Sequence, residues 1–331
     1  MTKQWKFYDE DDNKIKDIQE KFNVGKLVAN IIANRNVGTD EDIRIFLEPT
    51  REDFHDPFLF NDMEKAVNRI IQAIENKEKV LIYGDYDVDG ITSTTVLKKY
   101  LEERGLNVET YIPNRLFEGY GLNNKALDEI KQKGVNLIIT VDCGISGVEE
   151  IAYANSLGIE TIITDHHETG DVLPAAVAVV DAKRKDNTYP FRGLAGVGVV
   201  FKLIQAISIT LKLEEKEYLK YLDFVCVGTI SDIVPLVNEN RVIAKLGLKL
   251  LNQTRNVGLK ELIKSIGFKE INSSAVSFGI APRINACGRM GHQEEALELF
   301  LTNNIEEAKT ITEKLNNYNS TRQEIERKIF N

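Results

Sequence analysis

The sequence predicts an α/β protein: a doubly wound, mostly parallel sheet, joined to a helical subdomain and a long C-terminal connector helix. Three observations carry that prediction. Short β-branched runs alternate with helical stretches from about residue 64 to 181, the strands give way to helical patterns past Pro190, and the stretch from Ile305 onward is one long charged helix with no closing turn. Alternation of strand and helix marks βαβ units, because parallel strands need a crossover between them.

Residues 1–60 carry no clean periodicity and read as a helical lead-in. Within it, VGKLVANIIANR (24–35) and TDEDIRIFLEP (39–49) are short amphipathic helices, the second opened by Thr39 with Asp42 at the capping-box distance. The sheet core is assigned to 61–190. Here EKAVNRIIQAIENK is helical, KVLIYGD (79–85) is a strand, and ITSTTVLKKYLEERG (91–105) is a helix stopped by Gly105. The runs NVETYI (107–112), VNLIITVD (135–142), IETIITD (159–165) and AVAVVD (176–181) supply further strands, and EEIAYANSLG (149–158) is a helix that ends at Gly158. The part from 191 to 303 is mostly helical, with helices expected near 196–212, 215–228, 241–253 and 257–266. Residues 304–331 read as the connector, or more plainly as a solvated surface helix.

Composition narrows the function classes. In 331 residues, 43% are hydrophobic and 28% charged, with 22 Gly and 7 Pro, which excludes disordered, collagen-like and low-complexity chains. No run approaches the roughly 18 to 20 apolar residues of a membrane helix, and the start, MTKQWKFYDEDDNK, is polar where a signal peptide would be apolar. A soluble cytoplasmic protein with no membrane partner is expected. Cys143, Cys226 and Cys287 lie far apart, so neither a disulfide framework nor C-x-x-C zinc spacing is available, and all three are expected to be reduced. Lys and Arg number 42 against 51 Asp and Glu, a net charge of -9. That balance argues against a protein that coats duplex DNA, yet a locally basic groove can coexist with an acidic whole, and carboxylates bound to divalent metal lose much of their formal charge.

The strongest local signal is GDYDVDG (84–90), where Asp85, Asp87 and Asp89 alternate at the carboxyl end of a strand. Period two puts the three carboxylates on one side, where they repel one another unless a cation sits among them. An acidic surface turn or a calcium loop is the plainer reading, but an EF-hand needs Glu at its twelfth position, and counting from Asp85 gives Val96. Gly90 then permits close backbone approach where the next helix begins. Two further strands close the same way, on Asp142 and on Asp165, His166 and His167. In a doubly wound sheet, functional groups gather beyond the carboxyl ends of the strands. A lone Asp there is commonly a helix cap; three strands ending alike weigh against that reading. Asp232, in VCVGTISDIVPL (225–236), follows another apolar run and alone would read as a cap or loop residue. Mixed Asp and His donors suit Mn²⁺, with Mg²⁺ and Zn²⁺ as competitors, and two such ions would polarise a phosphoryl group and generate hydroxide from water. Hydrolysis of phosphoesters or phosphoanhydrides is the chemistry such a site supports.

Taken in order, Asp85-Tyr86-Asp87-Val88-Asp89-Gly90, Asp142, Asp165-His166-His167 and Asp232 resemble the successive motifs of the DHH phosphoesterase superfamily, named for its Asp-His-His triplet. The segments IPNRLFEGYGLN (112–123), GLAGVGVVFKL (193–203), GTISDIVPL (228–236) and SFGIAPRINACGRMG (277–291) resemble the RecJ family of single-strand-specific 5′ to 3′ exonucleases, from about residue 60 to the C-terminus. The resemblance implies two Mn²⁺ or Mg²⁺ ions held by Asp87, Asp89, Asp142, His166 and Asp232, with Asp85 close by as a further candidate ligand. It also implies that Asp142 bridges the ions and that His167 orients the scissile phosphate or assists proton transfer, so that Asp142, His166 and His167 form the catalytic set. Tyr83 stands where superfamily members often carry His. Family members continue into a second domain with a Gly-Gly-His type motif, which this sequence lacks, so an N-terminal catalytic core without the clamp domain is expected.

Substrate contacts are sought among forked cations and aromatic faces. Arg283, Asn285 and Arg289 lie in APRINACGR, a segment rich in turn formers, and a guanidinium fork suits phosphate oxygens, with surface ion pairs as the alternative. Arg115, Phe117 and Tyr120 combine a cation with aromatic faces, as single-strand binding uses, although Phe117 could equally be packed. Gly193, Gly196 and Gly198 could bring helix-N-terminal amides close to a phosphate or serve only tight packing. The leading expectation is a monomeric, metal-dependent 5′ to 3′ exonuclease on single-stranded DNA in repair and recombination, with a single-strand-binding protein or helicase as candidate partners. The alternatives are a phosphodiesterase of short oligonucleotides or cyclic dinucleotides, and a catalytically silent replication scaffold.

Overall fold

The structure, a computed structural model, describes residues 11–35, 37–115 and 117–330. The first ten residues of the lead-in, Asn36, Leu116 of the 112–123 segment and Asn331 lie outside the described residues. Three helices open it: α1 (Asp12–Phe22), α2 (Lys26–Asn34) and α3 (Asp40–Leu47). Helix α1 forms where the sequence shows no clean period; it is capped by Asp11, whose side chain accepts the Lys14 amide at 3.0 Å. Thr39 and Asp42 form the expected capping box, with the Thr39 amide 2.8 Å from Asp42 Oδ2 and the Asp42 amide 3.2 Å from Thr39 Oγ1. Ile15, Ile18, Ala29, Ile32 and Ile43 give these helices a small core of their own.

Every predicted strand is present, and one wholly parallel sheet contains them all. The strands β1 (Lys79–Gly84), β2 (Asn107–Tyr111), β3 (Leu137–Val141), β4 (Glu160–Thr164) and β5 (Ala178–Val180) lie in the order β2-β1-β3-β4-β5. Helices α4 (Met63–Asn76), α5 (Val88–Glu102), α6 (Asn124–Gln132) and α7 (Val148–Ser156) alternate with them. Side chains divide between the faces with period two: Val80 and Ile82 of β1 enter the larger core with α4 and α5, whereas Leu81 and Tyr83 enter a second core with α6 and α7. Burial on both faces is why the strands read as continuous apolar runs. The register pairs Gly84 with Val141, Val141 with Thr164, and Thr164 with Val180, so the next residues, Asp85, Asp142, Asp165 and Asp181, emerge side by side. Strand order reverses between β1 and β3, and that switch point opens a crevice at the carboxyl rim.

The helical part comprises α8 (Gly196–Thr210), α9 (Lys216–Leu219), α10 (Leu222–Ser231), α11 (Asn238–Leu251), α12 (Val257–Ile266), α13 (Ser273–Ala275), α14 (Ala281–Arg289), α15 (Gln293–Leu301) and α16 (Ile305–Phe330). The helix expected at 215–228 is instead broken between α9 and α10. The break lets Tyr218 pack on Phe201 of α8 while Tyr221 packs on Tyr100 of α5, at ring separations of 5.7 and 6.3 Å. A second correction concerns APRINACGR, which is helix α14 rather than a set of turns. Pro282 sits in its first turn, where a missing N–H costs little, and Gly288 allows contact with the metal-motif loop, since a Cβ there would lie 2.5 Å from the Tyr86 carbonyl oxygen. Ala308, Ile311 and Leu315 bury one face of α16, which spans about 39 Å at 1.5 Å per residue. Among the described residues no helix is long and apolar enough to cross a membrane.

The lead-in is tied down by a buried charge. Lys202 of α8 is fully buried, and its Nζ donates to Glu239 Oε1 at 2.9 Å and to the His55 carbonyl at 2.6 Å, while Glu239 also accepts the His55 amide and the Tyr189 hydroxyl.

Candidate metal centre

Three loops at the carboxyl rim and the end of α10 bring the predicted ligands together. Asp85, Asp87 and Asp142 present oxygens within 4.8 Å of one another, as do the donor atoms of Asp89, His166 and Asp232. The two groups meet where His166 Nε2 lies 3.1 Å from Asp142 Oδ1; the same nitrogen is 3.8 Å from Asp89 Oδ2, and His166 Nδ1 is 3.7 Å from Asp232 Oδ2. Asp232 enters from the C-cap of α10, not from a strand. Among the described residues, the clusters of metal-ligating side chains all lie at this rim.

Local backbone geometry sets these positions. Asp142 adopts φ +59°, a left-handed turn that Asp tolerates better than most residues and that directs its side chain away from the strand path. Gly90 lies so close to the metal-motif loop that a Cβ would sit 2.4 Å from the Asp85 carbonyl oxygen, the close approach expected from the sequence. Asp89 in turn accepts the first amides of α8, from Gly196 at 2.6 Å and Val197 at 2.9 Å. The helix-N-terminal amide of Gly196 is therefore engaged by a protein carboxylate rather than offered to a phosphate. A Cβ at Gly196 would lie 2.7 Å from Asp142, so this glycine serves close packing beneath the predicted ligands.

The electrostatics of the cluster favours a cation among these side chains. Burial, reinforced by the neighbouring carboxylates, pushes Asp85 up to about 7 and Asp89 up to about 7, and holds Asp142 well above the ordinary range. Asp232 is likewise pushed up to about 7 by burial and by Asp89. Asp85 Oδ1, Asp142 Oδ1 and His166 Nε2 are buried without a hydrogen-bond partner among the described residues. Unpartnered buried acceptors of this kind are costly, and a divalent ion would satisfy them. Burial lowers His166, which favours the neutral imidazole whose nitrogen can bind a metal.

His167 is set up differently. Asp165, fully buried, accepts the Ile145 amide at 2.9 Å, the His166 amide at 2.7 Å and His167 Nδ1 at 2.7 Å, and these hydrogen bonds hold its carboxyl below the usual range. The Asp165 hydrogen bond raises His167 in return. With Nδ1 donating to Asp165, Nε2 makes no hydrogen bond among the described residues. This role for Asp165 is not among those expected from the sequence, where it figures only as the first member of the triplet. Asp181, just past β5, is buried at the same rim and pushed up to about 7 by burial, but it belongs to none of the metal-ligating groups among the described residues.

The expected substrate contacts separate into two sets. Tyr120 leans over the centre, its hydroxyl 3.3 Å from the Asp142 carbonyl and 3.4 Å from His167 Nδ1, and the Arg115 guanidinium lies 5.2 Å above the Tyr86 ring. Asn285 Oδ1 accepts the Val88 amide at 3.3 Å, and with Arg289 it lines a groove of about 410 Å³ beside Ile233 and Phe278. Phe117 is 86% exposed, so it is not packed. Arg283 faces another way: its guanidinium holds Asn316 of α16 at 2.5 Å and the Gly279 carbonyl at 2.7 Å, which makes it a brace for α16.

Comparison with known proteins shows which family and fold this chain shares. The profile of the DHH family, N-terminal domain, matches residues 79–229. The single-stranded-DNA-specific exonuclease RecJ of Bacillus subtilis (strain 168) is 44% identical over 327 residues, covering 98% of this chain and 41% of that protein. A crystal structure of exonuclease RecJ bound to manganese matches with a TM-score of 0.76 at 35% identity, over 82% of this chain and 68% of the other. RecJ from Thermus thermophilus in complex with Mn²⁺ matches with a TM-score of 0.82 at 31% identity, over 96% of this chain and 45% of the other. The chain thus spans less than half the length of the Bacillus relative.

Proposed function

This chain belongs to the RecJ family of DHH proteins, and from that premise we propose that it hydrolyses phosphodiester bonds in single-stranded DNA, with Mn²⁺ or Mg²⁺ as cofactor. The observation that carries the reading is the 3.1 Å approach of His166 to Asp142, which joins two groups of possible metal donors into one site. Asp85, Asp87 and Asp142 would hold one ion and Asp89, His166 and Asp232 the other. Bound there, divalent ions polarise phosphoryl oxygens and acidify water. The protein's own groups do the rest. Asp89 anchors its loop on the α8 amides, Asp165 fixes the His167 ring, and His167 presents Nε2 to hold a proton beside the scissile phosphate. Tyr120, Arg115, Asn285 and Arg289 border the centre and are assigned to the strand.

The finer reading is a monomeric 5′ to 3′ exonuclease of the cytoplasm, acting in repair and recombination with a single-strand-binding protein or helicase nearby. Residues 61–190 serve as the metal-binding core, 191–303 as its helical part and 304–331 as the connector. The test is Mn²⁺-dependent digestion of an end-labelled, 5′-phosphorylated 30-mer, compared with a dinucleotide, by the wild type and by Asp142→Ala. Loss of hydrolysis in a folded variant is expected. Retained activity would refute the assigned centre, faster turnover of the dinucleotide would point to a short-oligonucleotide phosphodiesterase, and absence of Mn²⁺ binding to the wild type would point to a scaffold.

A further inference from the structure

Charge is spread unevenly over this molecule. Between residues 241 and 269 the chain carries seven Lys and Arg against one acid, Glu261, a local charge of +6 in a protein whose total is -9. Two of these cations are occupied: Lys264 pairs with Glu261 at 2.5 Å, and Arg241 turns inward to the Phe46 carbonyl at 2.8 Å with its guanidinium over the Phe46 ring. Lys245, Lys249, Arg255, Lys260 and Lys269 are exposed and make no ion pair among the described residues.

Four of the five line two adjoining clefts. Lys245 and Lys249, one turn apart on α11, border a cleft of about 680 Å³ that also contains Glu270, and Lys260 and Lys269 border one of about 250 Å³. Asn252, Gln253 and Ile271 form a wall common to both. Phe268, 49% exposed, lines the smaller cleft. Leu236 lines the larger one and follows Asp232 by four residues, which places the two within about 14 Å of each other.

We propose that this basic face is a second binding surface for the phosphate backbone of a single nucleic-acid strand, holding the stretch that lies outside the metal centre. The proposal rests on the strand-hydrolysing function above. A chain of net charge -9 repels a polyanion, so a cationic face near the centre supplies the attractive field that the whole molecule lacks. An exposed ring among unpaired lysines, with the Gln253 amide beside it, offers both a stacking surface and backbone neutralisation, the combination that single strands use. An acidic peptide would need the cations but not the ring.

The test is fluorescence anisotropy of the full chain with a labelled single-stranded 20-mer in EDTA, over a series of salt concentrations. Lys245→Gln/Lys249→Gln is expected to weaken binding about tenfold at low salt and to reduce the slope of log affinity against log salt by about 1.4, since each neutralised phosphate contributes about 0.7. Under Mn²⁺, the turnover ratio of 20-mer to trinucleotide should fall by a similar factor. Lys264→Gln, which removes a lysine already paired, serves as the control. An unchanged slope in the double variant overturns the proposal, as does a loss confined to binding of a polyglutamate peptide. If the wild type binds the 20-mer through these lysines yet cleaves nothing, this surface stands and the proposed hydrolysis fails.

Discussion

Asp165 Oδ1 lies 2.7 Å from His167 Nδ1, and through that contact a fully buried carboxylate orients the half-exposed imidazole beside it. The same carboxylate gathers two backbone amides from its own turn and one from Ile145 on the neighbouring loop. The family triplet is thus a structural clamp, Asp165, followed by two histidines of different character.

Replacing Asp165 with Asn should cost about 2 kcal/mol, because one amide group cannot accept all four donors and a charge-assisted bond is lost. The His167 pKa, followed by NMR, should fall toward the ordinary histidine value. His167 is raised in the folded protein, so its contribution to stability is present below about 6.5 and lost as pH rises through its folded pKa. That dependence should vanish in the variant; a His167 titration that stays where it was would contradict the clamp.

The metal-free centre should weaken with rising pH. Asp85, Asp89 and Asp232 are raised to about 7, so the stability they contribute is present below the unfolded carboxylate range near 4 and disappears as pH climbs through about 7. Mn²⁺ at about 100 times its Kd at pH 8 should therefore raise Tm by roughly 3–5 °C at pH 8 and by much less at pH 5. Differential scanning fluorimetry at the two pH values decides the matter, and equal shifts would count against the assigned ligands.

Gly196→Ala forces a methyl group to within 2.7 Å of Asp142 in a helix start already fixed by Asp89. Overpacking of this kind costs about 1–3 kcal/mol. Because the displaced group is a proposed ligand, Mn²⁺ affinity measured by calorimetry should fall as well. Stability lost with affinity intact would mean that the ligand geometry does not depend on this contact.

Lys202→Met leaves Glu239 buried without its cation and should destabilise the protein by about 3–5 kcal/mol in urea denaturation. Lys202→Met/Glu239→Gln should recover much of that loss, since the remaining acceptor is neutral and Tyr189 can still donate to it. A double variant no more stable than Lys202→Met would show that hydrogen-bond geometry, rather than charge balance, holds the lead-in to α8.

What the sequence determined by itself follows from local periodicity. The β-branched runs declare strands, and acids closing successive strands declare a common rim. Each of those signals sits within a few residues of chain. The expected period two does not hold through the metal motif, because β1 ends at Gly84, Asp87 caps α5 and Asp89 sits in that helix's first turn, so it is the turn from strand to helix that gathers the three acids. Tertiary structure decided what depends on distance along the chain. Only the register shows that Asp85, Asp142 and Asp165 stand side by side, and only packing shows that Gly196 spends its amide on Asp89, more than a hundred positions away. Arg283 and Arg289 look alike as sequence, yet one braces α16 and the other borders the groove, because helix α14 turns them to different faces. The physical reason is that a side chain's partner is fixed by the direction in which its backbone segment is finally packed, and that direction is set by contacts the local sequence does not contain.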